Sequence, residues 1–349
     1  MPAVAVHAVI RSTNPELGFD YFAMKIAVTG SVATDFMMNF PGRISDSIVV
    51  DSLEKISLSF LVDDLEVRRG GTGANITFGM GMLGGAPLLI GAVGEDFTDY
   101  NSWLTRHGVD TSEIFISQTQ LTARFTVTTD QSHNQIASFY PGAMSEARNI
   151  ELGPIFERHN GFDLVLIAPD DPEAMIRHTD ECRQHKIPFA ADISQTLASL
   201  DGESIRNLLI GAKYSFLNEY EMALAMKKTG WEMSDFLENV EICITTLGAN
   251  GARIESAQFP TILVGVAKER AKVDPTGIGD AFRAGFISAL GWGMDLTRCA
   301  QVGSMVATYC LETQGGQEYR FTREQFLERF VESYGEEAGK DLNDYLPKR

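Results

Sequence analysis

From Met24 onward, short runs of apolar residues alternate with longer segments whose apolar positions recur at helical spacing. The runs predict strands at Ile26–Gly30, Leu88–Val93, Leu164–Ala168, Phe189–Asp192, Tyr214–Asn218 and Ile242–Thr246. The periodic segments predict helices at Gly73–Leu83, Tyr100–His107, Pro172–His185, Ser204–Ala212, Tyr220–Thr229, Gly279–Leu290, Leu296–Leu311 and Thr322–Tyr334. Such alternation yields parallel strands joined by right-handed crossovers, so the expected class is α/β, a central, mostly parallel sheet flanked by helices. Two stretches break the rhythm, about 36–69 and 121–141. The second reads as a hairpin of Ala123–Thr129 and Gln135–Tyr140 with a polar tip at Asp130–Asn134. Together they predict a small β-sheet lid. Ligands of open parallel sheets bind beyond the carboxyl ends of the strands, where such a lid would close.

Residues 1–23 read as a poorly ordered N-terminal extension: they lack a basic region ahead of their weakly apolar stretch, and Arg11 and Pro15 interrupt the residues after that stretch. The remainder, 24–349, is expected to be one domain carrying the lid segments. No run reaches the roughly 18 to 20 apolar residues of a membrane helix. Forty-seven acidic against 29 basic residues leave a net charge of −18, spread along the chain, which would repel a nucleic-acid backbone. Four cysteines form no C-x-x-C pair, and six histidines show no metal-ligand spacing. Buried, reduced thiols in a cytoplasmic protein are the expectation.

The densest chemistry lies in Asp274-Pro275-Thr276-Gly277-Ile278-Gly279-Asp280-Ala281-Phe282, a glycine turn running into a helix. Its glycines let several backbone N–H groups face one concavity, and a helix N-terminus favours an anion there. Asp280, in the first helical turn, is placed to accept a proton from an attacking hydroxyl. Standing alone, the same pattern is an ordinary acidic helix start. Two rival phosphate motifs are absent: there is no G-x-x-x-x-G-K-[ST], and Phe282 stands where G-x-G-x-x-G needs its third glycine.

The full run resembles the C-terminal signature D-T-x-G-A-G-D of the ribokinase (PfkB) family of small-molecule kinases, with Pro275 inserted and Ile278 in place of the usual alanine. The family's N-terminal signature is similar to Gly70-Gly71-Thr72-Gly73-Ala74-Asn75, and its N-x-x-E to Asn218-Glu219-Tyr220-Glu221. The chain from Met24 resembles more specifically the actinobacterial adenosine kinases, through Val28–Asp35, Ser57–Leu65, Ala137–Arg148 and Asn218–Glu221.

That resemblance implies an ATP-dependent transfer of phosphate to the 5′-hydroxyl of adenosine, with a sugar kinase acting on ribose, fructose or another furanose as the alternative. It implies Asp280 as base and Gly277, Ile278 and Gly279 as the anion hole. Ser31, Asp35, Gly71, Asn75 and Gln195 would contact ribose or purine, with Phe125 and Phe139 beside the base. Asp35 suits a vicinal diol, because a carboxylate accepts from two hydroxyls at once. Thr246, Gly248 and Gly251 would lie along the nucleotide, and Gly315 in the segment that flanks adenine, where related kinases also bind a monovalent cation such as K+. Asn218 and Glu221 offer oxygens to Mg2+, chiefly through its waters; alone they read equally as a helix cap, and the two phenylalanines as packing within the lid. A homodimer through the lid is the assembly this arrangement permits.

Overall fold

The apolar runs form the interior of a central sheet whose helices cover both faces. The computed structural model describes residues 24–48, 54 and 57–346, and the extension expected at 1–23 lies outside the described residues. The strands of the first half are β1 (Ile26–Thr29), β2 (Ala33–Asn39), β3 (Asp64–Gly70), β4 (Leu88–Ile90), β5 (Ala92–Val93), β6 (Phe115–Ile116), β7 (Ala123–Thr129) and β8 (Gln135–Tyr140). Those of the second are β9 (Leu164–Ile167), β10 (Phe189–Asp192), β11 (Ala212–Asn218), β12 (Val240–Thr246), β13 (Ala252–Ser256) and β14 (Phe259–Val264). The helices are α1 (Thr72–Met82), α2 (Thr98–Arg106), α3 (Leu152–Arg158), α4 (Pro172–His185), α5 (Gly202–Leu209) and α6 (Glu219–Thr229). They continue with α7 (Met233–Asn239), α8 (Ile278–Gly291), α9 (Leu296–Leu311), α10 (Arg323–Tyr334) and α11 (Glu336–Asn343).

The main sheet has eight strands in the order β14-β13-β12-β11-β10-β9-β1-β4, parallel from β4 to β12 and antiparallel beyond. Successive residues of β1 enter different cores: Ile26 and Val28 join the cluster that includes Phe78, Phe282 and Phe286, while Ala27 joins the cluster under Met175 and Leu208. This period of two is what a strand buried on both faces requires. From β1 the chain goes to β4 on one side and later to β9 on the other, so the connections reverse beside β1. A crevice opens at the carboxyl ends of strands at such a switch point.

Just past β1, strand β2 leaves the main sheet and builds a second one of four strands, β3-β2-β7-β8. Its register aligns Arg68, Asp35, Phe125 and Phe139 in one row across the strands, and directly opposed residues share a face.

Several elements differ from the sequence pattern. The run at 88–93 breaks at Gly91, where a Cβ would come within 2.7 Å of the Gly30 carbonyl oxygen, and β5 turns away to pair with β6. The helix expected at 204–212 starts at Gly202, capped by Asp201, and ends at Leu209, so that Ala212 already belongs to β11. The hairpin β13–β14 had no distinct run because charged Arg253 and Glu255 alternate with buried Ala252, Ile254 and Ser256. The short helices α3, α7 and α11 were likewise unmarked. Among the described residues no helix is long and apolar enough to cross a membrane, and all four cysteines are buried and unpaired.

Candidate active site

Helix α8 begins in the crevice. Gly277 is its N-cap, with φ of +78°, and a Cβ there would sit 2.8 Å from the Cα of Gly316. Both the left-handed backbone and the close approach demand glycine. The N–H groups of a helix's first turn have no intrahelical acceptor. Ile278, Gly279 and Asp280 therefore line the cavity, together with Gly277, with donors free for an anion. Asp274 braces this turn: its carboxylate accepts from the N–H of Thr276 (2.9 Å) and of Gly315 (2.9 Å) and from Nη1 of Arg68 on β3 (3.1 Å). Despite partial burial, these hydrogen bonds hold the Asp274 carboxyl below its ordinary range.

Asp280 lies against Asn75, whose Nδ2 donates to Oδ2 of Asp280 at 2.8 Å. Burial pushes the Asp280 carboxyl up to about 7; the Asn75 bond and the charge of Arg283 oppose this, and Asp192 and Glu221 add to it. A base that titrates near neutrality suits proton abstraction from an alcohol. Arg283, one turn further along α8, pairs with buried Asp192 and donates to the Gly279 carbonyl (3.0 Å) and to Ser194 Oγ (2.8 Å). The catalytic turn is thereby tied to the end of β10.

A cavity of about 1250 Å³ runs past Asp280 in both directions, more than the roughly 300 to 1,000 Å³ usual for one small ligand. On the lid side it is walled by Ser31, Asp35, Gly71, Asn75, Phe125 and Phe139, with Gln195 at the end of β10. Burial pushes Asp35 up to about 6, with Arg68 opposing. Ser31 also serves α1, its hydroxyl accepting the Thr72 N–H at 3.1 Å. Asn75 is more committed than its sequence context suggests: its Oδ1 accepts from Gln317 at 2.8 Å while its Nδ2 holds Asp280.

On the other side the wall consists of Asn218, Glu221, Thr246, Gly248 and Gly251, then a narrow apolar slot that includes Ala252, Ala267, Ala300, Ala307 and Leu311. Asn218 and Glu221 form a full capping box on α6, at 2.8 and 2.7 Å. The cap reading of these residues thus holds, and Asn218 Oδ1 is occupied by it. Among the described residues no cluster of three His, Cys, Asp or Glu could hold a metal alone. A partly hydrated Mg2+ takes one or two carboxylates and relies on substrate phosphates for the rest. Glu221 fits that need, keeping one oxygen outside the cap, with burial pushing its carboxyl upward. Gly315 departs from expectation: it is buried and does not line the cavity, because its N–H is spent on Asp274.

A family model described as pfkB family carbohydrate kinase matches residues 26–321. The chain belongs to that family. As a pfkB family kinase it is a phosphotransferase with an alcohol group as acceptor. A nucleoside kinase of Methanocaldococcus jannaschii is 28% identical over 311 residues, covering 87% of this chain and 96% of the relative. The structure of Burkholderia thailandensis nucleoside kinase in complex with inosine aligns with a TM-score of 0.77 at 31% identity, covering 89% of this chain and 98% of that one. The ribokinase of Bacillus subtilis is 25% identical over 295 residues, covering 82% of this chain and 97% of the relative.

Two cavity residues of this pfkB family kinase carried no motif. Asp170, beyond β9, is 3% exposed; its Oδ1 accepts from the Asp171 N–H at 2.8 Å, Oδ2 has no partner, and burial pushes the carboxyl up to about 8. The signal available was a Pro-Asp-Asp-Pro string directly after a strand. Arg283 was hidden inside a helix that reads as apolar. Ser194 has φ of +33°, a strained value for a non-glycine residue, immediately before Gln195 on the cavity wall.

Proposed function

We propose that this kinase transfers the γ-phosphate of ATP to the 5′-hydroxyl of adenosine, giving AMP and ADP, a reaction of purine salvage. The observation that carries the reading is the row Asp35–Phe125–Phe139 on the cavity face of the lid. Neighbouring strands lie about 4.8 Å apart, so the row spans roughly 10 Å from carboxylate to outer ring. A nucleoside matches that order of groups, with its 2′,3′-diol at Asp35 and its base against the rings. A free furanose would leave both aromatics without a ligand.

Asp280 takes the proton of the 5′-hydroxyl, the 5′-oxygen bonds to the γ-phosphorus, and the bond from that phosphorus to the β,γ-bridging oxygen breaks to release ADP. The N–H groups of the turn at Gly277–Gly279 hold the phosphoryl oxygens in flight, so catalysis is mainly positioning and electrostatic. Magnesium near Glu221 offsets phosphate charge when bound. The apolar slot takes the adenine of ATP, with Thr246, Gly248 and Gly251 along its phosphates and ribose.

The nucleoside kinases among the relatives support the acceptor class, and the B. thailandensis complex with inosine supports a purine. The B. subtilis ribokinase keeps a furanose kinase as the rival. A panel of adenosine, inosine, cytidine, ribose and fructose at one ATP concentration, read by ADP release, separates them. Adenosine is expected to give the highest kcat/KM; equal use of ribose would return the chain to the sugar kinases.

A further inference from the structure

We propose that Gln317, oriented by Trp103, is a positioning residue that fixes the direction of the Asn75 amide and thereby reserves Oδ1 of Asp280 as the atom that takes the proton. The inference rests on the reading of Asp280 as the base and deepens it.

At the head of the network stands a group that can only donate. The indole Nε1 of Trp103, on α2, donates to Oε1 of Gln317 at 3.1 Å. An indole N–H cannot accept, so Gln317 must present its oxygen there and its NH2 elsewhere. That NH2 meets two acceptors, Oδ1 of Asn75 at 2.8 Å and the phenol oxygen of Tyr100, whose own hydrogen goes to the Gly70 carbonyl at 2.7 Å. Burial keeps the Tyr100 phenol protonated. Gln317 is 1% exposed, and a turned amide would set NH2 against the indole N–H with both buried, at the cost of unpaired groups.

With Gln317 fixed, Asn75 has no choice either: its oxygen faces Gln317 and its NH2 faces Asp280. The donor direction runs one way from Trp103 through Gln317 and Asn75 to Oδ2 of Asp280. An oxygen that accepts this hydrogen bond is stabilised in its ionised form. The proton from the acceptor alcohol therefore goes to Oδ1. No proton can pass back along the amides, so it leaves by the cavity.

The other groups around Asp280 do not supply this orientation. Arg283 on its own helix favours the ionised form, while Asp192 on β10 and Glu221 on α6 disfavour it. The Cys310 thiol on α9 and the phenols of Tyr100 and Tyr319 are all pushed upward by burial and stay neutral. Asn75 is the hydrogen-bond donor from a side chain found on Asp280 among the described residues.

The test is the pH dependence of kcat at saturating ATP and adenosine in Gln317→Met and Trp103→Phe, with Asp280→Asn as reference. Gln317→Met frees Asn75 to turn its oxygen toward Asp280, so the acid limb should move up by about one pH unit, with KM for both substrates within about twofold of the parent. Trp103→Phe keeps the packing and removes only the indole donor, so it should move the limb in the same direction by less. It carries the test alone if Gln317→Met does not fold. A limb that stays in place in the folded variants, or a loss uniform across pH, would make Gln317 a packing residue and overturn the inference while leaving Asp280 as base. Near-parental kcat in Asp280→Asn would instead overturn the base reading and this inference with it.

Discussion

On its lid side the cavity is walled by large or charged side chains, Asp35, Phe125, Phe139 and Asp170, whereas on the far side it is walled by turns and small residues such as Gly248, Gly251, Ala252 and Ala300. The contrast matters because side chains can be exchanged one by one, while a wall made of backbone changes only when the fold does. The acceptor end is thus where a fold of this kind can be retuned, and the nucleotide end is where it is held constant. Asp280 and the Gly277–Gly279 turn stand at the junction and serve both.

The largest break is at that junction. Asp280→Asn should lower kcat by about 10² to 10⁴ while changing KM for either substrate little. The same variant should be more stable than the parent at high pH. The folded-state pKa of Asp280, about 7, lies above the ordinary 3.8, so the charged carboxyl's penalty is absent below about 3.8 and complete once pH has risen through about 7. Its melting temperature should therefore exceed the parent's more at pH 8 than at pH 5. A variant that keeps its rate would remove Asp280 from the chemistry.

Next in size is the acceptor wall. Phe125→Ala and Phe139→Ala should each lower kcat/KM for adenosine at least about tenfold, since one base–aromatic stack is worth about 1 to 3 kcal/mol. KM for ATP and any residual use of ribose should be nearly unchanged. Equal losses for adenosine and ribose would mean that the rings only pack the lid.

A pH titration sharpens the contrast without mutation. Asp35 titrates at about 6, so KM for adenosine should rise as pH falls from 7 to 5, by up to about tenfold, as the carboxylate loses its capacity to accept from two hydroxyls. KM for ATP should stay flat over the same range. If both constants rise together, the titration belongs to a shared group.

The smallest effect concerns the magnesium side. Glu221→Ala should raise the magnesium needed for half-maximal rate by a few-fold, and loss of the capping box should cost about 1 kcal/mol of stability. An unchanged magnesium titration with the same destabilisation would leave Glu221 a helix cap alone.

How much of this was legible in the sequence depended on whether a residue's role is local. Gly277, Gly279 and Asp280 announce themselves because turn, helix start and base are consecutive. Strands such as Leu164–Ile167 are legible because burial on both faces forbids polar interruption. Ala252–Ser256 was not, because a strand near the sheet edge tolerates Arg253 and Glu255 on one face. The position of Gly315 depends on Asp274, and that of Arg283 on Asp192, partners far away in sequence that no local pattern reveals. The row Asp35–Phe125–Phe139 could be suspected residue by residue, but its sidedness required the register of the lid.

The carboxylate of Asp274 answers to two masters, since its donors come both from the phosphate turn and from Arg68 on the lid strand β3. When the lid swings away, Arg68 goes with it, and the turn that must grip a phosphoryl group loses part of its scaffolding. Idle ATP should then be safe from water: the enzyme becomes competent as the acceptor draws the lid down, and thrift with the triphosphate is a mechanical property of that one ion pair.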